Sequence, residues 1–265
     1  MHLSLLLAIT LASPIVGSMV VFGRMWGLPL GHVTYPLRVS IALVGLWTVY
    51  ENAKPGTWLY TAWSCLSLLM PALILEPHIR TDDRALAGCV LTYGALITLL
   101  ASDLAKRHTG HALFNSPPAD RPWPTGTAAS FAGLWAAAFT SSRLIDYTAA
   151  HLPPWIPTPA LSQSDATGLH SHLSAVALYA NTAVMEELVM VAAVCTLGRR
   201  LALPTWALYT LSAGLRVAAH LYLGLAGLPV VILGTASVYL YRRYGRLLPL
   251  MAAHFLFDYA DTFLL

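Results

Sequence analysis

Apolar runs of membrane-crossing length recur along this chain from one end to the other. A helix needs about 20 mostly apolar residues to cross the hydrocarbon core of a bilayer. Runs at residues 3–22, 57–75, 85–102, 127–142, 172–197, 205–223, 228–241 and 247–265 meet or approach that length, and 36–50 is a shorter ninth candidate. The expected fold is all-α: a polytopic transmembrane helix bundle with eight or nine spans. Composition agrees. Of 265 residues, 57% are hydrophobic and 10% charged, against about 45–50% and about 25% in soluble domains. That balance excludes a soluble globular enzyme, a disordered chain and a secreted disulfide scaffold. A formal net charge of +3 is too small for a nucleic-acid binder. Cys65, Cys89 and Cys195 all sit in apolar runs, as buried free thiols do.

The first run has no Lys or Arg ahead of it and a long apolar stretch, so it reads as a span rather than a signal peptide. Cytoplasmic loops are richer in Lys and Arg. Arg199–Arg200 and Arg242–Arg243–Arg246 flank one pair of spans, with Lys106, Arg107 and Arg121 two spans earlier, whereas the loop around Gly224–Gly227 carries no charge. The basic clusters are expected in the cytoplasm. The N-terminus is then cytoplasmic with nine spans and outside with eight. Thirteen Arg against two Lys fits a GC-rich bacterial genome and hence a bacterial inner membrane. Two stretches read as long loops, 108–124 and 143–170. The second holds Pro153, Pro154, Trp155, Pro157 and Pro159, which suits the membrane interface.

Ionisable residues inside the apolar runs are few and gather toward the C-terminus. Glu186 and Glu187 lie within 172–197, Arg216 and His220 within 205–223, and His254, Asp258 and Asp261 within 247–265. A charge at the bilayer centre costs about 2.5–3.5 kcal/mol on insertion scales, so such groups must face one another or water and mark a functional site. Arg216 and His220 are four apart, as are His254 and Asp258, so each pair shares a helix face. Glu186 and Glu187 are about 100° apart on an α-helix. One is expected to enter a cavity while the other points sideways. Two His, two Glu and an Asp from three helices can hold a metal and a water, or run acid–base chemistry without a metal. Asp261, near the chain end, reads as interfacial, and the remaining histidines as solvated.

Glu186–Glu187, then His220, then His254-x-x-x-Asp258 resemble the CPBP intramembrane peptidases. This is the CAAX-protease and bacteriocin-processing family, which includes the type II CAAX prenyl endopeptidases. Its pattern is E-E-x-x-x-R, then F-x-x-x-H, then H-x-x-x-N or H-x-x-x-D, on successive membrane helices. Here the three motifs stand about 33 residues apart. The resemblance covers roughly 127–265, a CPBP-like catalytic bundle, whereas 1–126 carries N-terminal helices without the motifs. Two positions depart from the pattern: the motif Arg is Val191, and the motif Phe is Arg216. Arg216, one turn before His220, is expected to supply the missing positive charge from across the cavity, within ion-pair reach of Glu187 or Glu186.

The resemblance implies an integral membrane endopeptidase acting on a peptide or membrane-anchored protein in contact with membrane lipid. Glu186 would be the general base that activates water, and His220 would position that water, directly or through a metal. His254 and Asp258 would stabilise the oxyanion or complete a metal shell, with Glu187 supporting them. Zinc, held by His220, His254 and Glu186, is left open, as is the substrate. The cavity is expected to open to the cytoplasm. Two other readings stand beside this one. A catalytically silent relative could act as a binding or immunity membrane protein, which the departure at Val191 supports. A small proton-coupled transporter could use the same groups, though no Pro interrupts the motif spans near them.

Overall fold

The computed structural model describes residues 15, 18–19, 21–30, 33, 36, 123–167 and 171–264. Among these the chain is helical, with no β-strand. The expected runs 36–50, 57–75 and 85–102, and most of 3–22, lie outside the described residues, as do Cys65 and Cys89. Helix α1 spans Trp123–His151, followed by a short α2 at Gln163–Thr167. Next come α3, His172–Met185, a π-helical segment, Glu186–Ala193, and α4, Val194–Arg200. Helix α5 covers Thr205–Ala219, a 3₁₀ segment covers Leu221–Gly227, and α6 and α7 cover Val230–Tyr244 and Leu248–Phe263.

Among the described residues one helix, Ala175–Arg200, is long and apolar enough to cross a membrane; Leu221–Gly227 with Val230–Tyr244 passes only as a pair bent by 96°, a broken span or re-entrant loop. Eight or nine spans are therefore not established on the described residues. Helices α5 and α7, at 15 and 16 residues, are shorter than the roughly 20 residues that a full crossing takes.

Three local features depart from the sequence expectation. The run 205–223 is not one helix, because α5 ends at Ala219 and the chain tightens into the 3₁₀ segment. Gly224, at φ 63° and ψ −145°, makes the bend there, in a region that only glycine enters without strain. The stretch 143–170 is not a loop throughout, since α1 continues to His151. The third departure is the π-helical stretch at the two glutamates.

Close packing and polar contacts hold the described helices together. The packing centres on Leu134 and Ala138 of α1, Leu188 and Val191 of the π segment, Val238 of α6 and Phe257 of α7, all buried. Trp135 meets Phe257 edge to face at 5.7 Å. Helix α6 packs against both α1 and α5, and α7 against α1 and α3. At the α5–α6 crossing a side chain on Gly234 would stand 3.0 Å from the Ala213 Cα. A glycine is required for that approach, which brings Arg216 of α5 against α6.

Arg199, Arg200 and Arg242 gather at one end. Arg242 Nη2 donates to Thr205 Oγ1 at 3.2 Å, and its guanidinium lies 5.7 Å from the Tyr209 ring centroid. The end of α6 therefore sits beside the start of α5, next to exposed Arg199 and Arg200.

Candidate active site

Side chains from four elements meet inside the bundle. The π segment brings Glu186 and Glu187, α5 brings Arg216, α6 brings Ser237, and α7 brings His254 and Asp258. Glu187 and Arg216 are fully buried. Arg216 Nη2 donates to Glu187 Oε1 at 2.7 Å. Arg216 Nη1 stands 3.0 Å from Glu186 Oε2. That second contact is an ion pair without hydrogen-bond alignment, since neither atom has a hydrogen-bond partner. One guanidinium thus serves two carboxylates, as its several donors on a rigid plane allow.

The sequence reading sent the two glutamates in different directions, as α geometry requires. The π geometry changes this. Its i→i+5 bonding widens the turn and reduces the rotation between neighbours, and both carboxylates reach Arg216. The same widening affects position 191. Four residues after Glu187 is no longer one turn on, and Val191 is fully buried in the apolar cluster with Leu134 and Leu188. The cation faces the glutamates from α5 instead.

Glu187 Oε1 is the hub. It accepts from Arg216, from His254 Nδ1 at 3.0 Å, and from Ser237 Oγ at a long 3.5 Å. A carboxylate can only accept, so the proton of that contact lies on His254 Nδ1. The other face of the His254 ring looks to two more carboxylates: Nε2 is 3.5 Å from Asp258 Oδ2 and 3.9 Å from Glu186 Oε2. The imidazole therefore bridges a fully enclosed carboxylate and two less enclosed ones. Side-chain exposure rises from nothing at Glu187 to 8% at Glu186 and 24% at Asp258. Glu187 is the enclosed member, and the cluster is least covered on its Glu186 and Asp258 side.

His220 caps the C-terminus of α5. Its Nδ1 lies 2.8 Å from the Arg216 carbonyl oxygen, an acceptor, so Nδ1 carries the proton and Nε2 the lone pair.

Ser237 was not legible from the sequence, since a hydroxyl in an apolar run carries no charge signal. Asp261 is exposed, and its Oδ1 accepts from Ser142 Oγ at 3.1 Å. His172 was expected to be solvated. It is exposed, but it hydrogen-bonds the Tyr259 hydroxyl at 3.0 Å and packs 4.6 Å from the Phe263 ring.

Among the described residues, no group of three or more His, Cys, Asp or Glu side chains is arranged to hold a metal ion. The set expected from the sequence, Glu186, His220 and His254, does not form one. The donor chemistry agrees: the Arg216 guanidinium stands on both glutamates, and His254 has Nδ1 committed to Glu187. In this arrangement the guanidinium occupies the carboxylates that a dication would draw on.

The family model described as type II CAAX prenyl endopeptidase Rce1-like matches residues 168–260, about a third of the chain. The match takes in both glutamates, Arg216, His220, His254 and Asp258. No curated protein and no solved structure matches the chain.

Proposed function

We propose that this chain is an integral membrane endopeptidase that hydrolyses a peptide bond with water activated by Glu186. The observation that supports this most is the division between the glutamates. Glu187 is enclosed and held by Arg216, His254 and Ser237, whereas Glu186 borders His254 and keeps some exposure. Amide hydrolysis needs a base for water and a positive group for the oxyanion. Glu186 takes one proton from water as its oxygen bonds to the substrate carbonyl carbon. His220 accepts the other water hydrogen at Nε2 and so aims the oxygen. His254, with Nδ1 on Glu187 and Nε2 facing Glu186 and Asp258, offers a proton toward the developing oxyanion. Asp258 orients it. The tetrahedral intermediate collapses as the C–N bond breaks, and Glu186 passes its proton to the leaving nitrogen.

The family to which residues 168–260 are similar is named for prenyl-protein substrates. For this chain the proposed substrate class is a peptide or membrane-anchored protein, processed in a bacterial inner membrane. One observation favours a second reading, a silent relative acting as a binding or immunity protein: Arg216 stands 3.0 Å from the proposed base. The test is quantitative mass spectrometry of a membrane-peptide library incubated with reconstituted protein, beside Glu186→Gln, His220→Ala and His254→Ala. Cleavage products are expected with the unsubstituted protein and with none of the three variants, all of which remain inserted and folded. Products at full rate from Glu186→Gln remove Glu186 as the base, and no products from any form favour the silent relative.

A further inference from the structure

His220 sits at the point where α5 stops, and a histidine at a helix end needs something outside the helix to hold its ring. The neighbour is Tyr222, whose ring centroid lies 5.5 Å from that of His220 at a tilt of 31°. Tyr222 is buried, in a small cluster with Met25 and Ala166 that Val21, Phe22, Trp26 and Leu223 surround. This cluster is separate from the main core. Two segments outside the family match build it.

The first segment is residues 21–30, helical over 21–25. Trp26 Nε1 donates to the Tyr222 carbonyl oxygen at 2.9 Å. The same ring lies over Gly224, where a Cβ would stand 3.1 Å from Trp26 Cζ2. The second segment includes α2. Gln163 hydrogen-bonds the Tyr222 side chain. The two segments are tied to each other: Ala160 N donates to the Met25 carbonyl at 2.7 Å, and Arg24 Nη1 to the Ala166 carbonyl at 3.1 Å. Tyr222 is thus gripped at its backbone, its hydroxyl and its ring by chain far away in sequence, and the face turned to His220 is what remains.

We infer that Tyr222 is a positioning residue for His220, and that residues 21–30 and 160–167 act on the candidate active site through it. Ring contact with Tyr222 and the bond to the Arg216 carbonyl define the His220 orientation from two sides, so the Nε2 lone pair has one direction. Release of the Trp26 contact frees the 3₁₀ segment at its glycine bend, and the His220 ring gains rotameric freedom. The inference rests on the reading of His220 as a site residue, and its first readout does not need hydrolysis.

The test is NMR of the full chain in lipid nanodiscs with ¹⁵N- and ¹³C-labelled histidine, the His220 signals being assigned with His220→Gln. One tautomer, protonated at Nδ1, is expected. Tyr222→Ala and Trp26→Ala are expected to move the His220 nitrogen signals toward the average of the two tautomers, while Tyr222→Phe, which keeps the ring, restores them. Trp26→Phe keeps an aromatic side chain but removes the donor and shortens the reach to Gly224; it gives a smaller shift in the same direction and serves where an alanine variant fails to fold. On library peptides that the protein cleaves, Tyr222→Ala should lower kcat on the order of tenfold to a hundredfold, with KM nearly unchanged. His220 signals unmoved in folded Tyr222→Ala and Trp26→Phe overturn the inference. Signals that move in a protein that cleaves nothing sustain it and count against the peptidase instead.

Discussion

Replacing Arg216 by alanine strands two carboxylates at once. Glu187 loses its 2.7 Å partner and Glu186 its 3.0 Å partner, in a site where Arg216 and Glu187 have no solvent contact. Breaking one buried pair by removing a partner costs about 3–5 kcal/mol, because the remaining charge is left uncompensated. His254 Nδ1 stays on Glu187 and moderates the loss there, whereas nothing comparable holds Glu186, 3.9 Å from His254 Nε2. A loss in the upper part of that range is expected, a fall in melting temperature on the order of 10 °C for a chain of this size. The assay is thermal unfolding in a single detergent, with a double-mutant cycle. Glu187→Gln keeps the acceptor for His254 and Ser237 and deletes the charge. Combined with Arg216→Ala it should recover only the share of the loss that Glu187 contributes, since Glu186 stays charged without its 3.0 Å partner. A melting temperature for Arg216→Ala within about 2 °C of the unsubstituted protein would refute the reasoning, as would a double variant no more stable than the single one.

Ser237→Ala removes only a 3.5 Å contact to Glu187 and should cost no more than about 1 kcal/mol, a shift of a few degrees in the same unfolding assay. A loss matching Arg216→Ala would mean that the hydroxyl, not the guanidinium, holds the site. Val191→Arg places a cation in the apolar cluster around Leu134 and Leu188. It should lower folded yield, measured by size-exclusion chromatography, and should not rescue Arg216→Ala; rescue would show that α spacing governs the π segment after all. Gly224→Ala forces a Cβ into φ 63° and against Trp26 and should destabilise the fold by about 1–3 kcal/mol, read by the same melting curves. Asp258→Asn keeps a hydrogen-bonding side chain at His254 and should hold peptide cleavage within about tenfold, one proton-positioning contact being weakened but not deleted; a much larger loss would make the negative charge itself necessary.

Charge in an apolar setting was the signal that could be read without a structure. Glu186, Glu187, Arg216, His254 and Asp258 declare themselves because lipid tolerates none of them alone, and they are the groups that meet. Partnership was legible for the same reason: with Val191 unable to pair, Arg216 was the cation left deep in a motif span. Conformation was less legible. Hydrophobic periodicity cannot distinguish an α from a π turn in a segment buried on every side, and Glu186–Ala193 is buried at every residue. The two glutamates do differ in surroundings, Glu187 enclosed and Glu186 partly exposed, but both reach Arg216, which α spacing did not foretell. The break after His220 was hidden differently. Leu221, Leu223 and Leu225 continue an apolar run without a proline, and only Gly224 at positive φ ends it. The break matters chemically, because a histidine inside a continuous helix would be oriented by its own turn. At the end of α5 the ring takes its direction from the Arg216 carbonyl behind it and the Tyr222 ring beside it, so its orientation depends on contacts from both sides of the break.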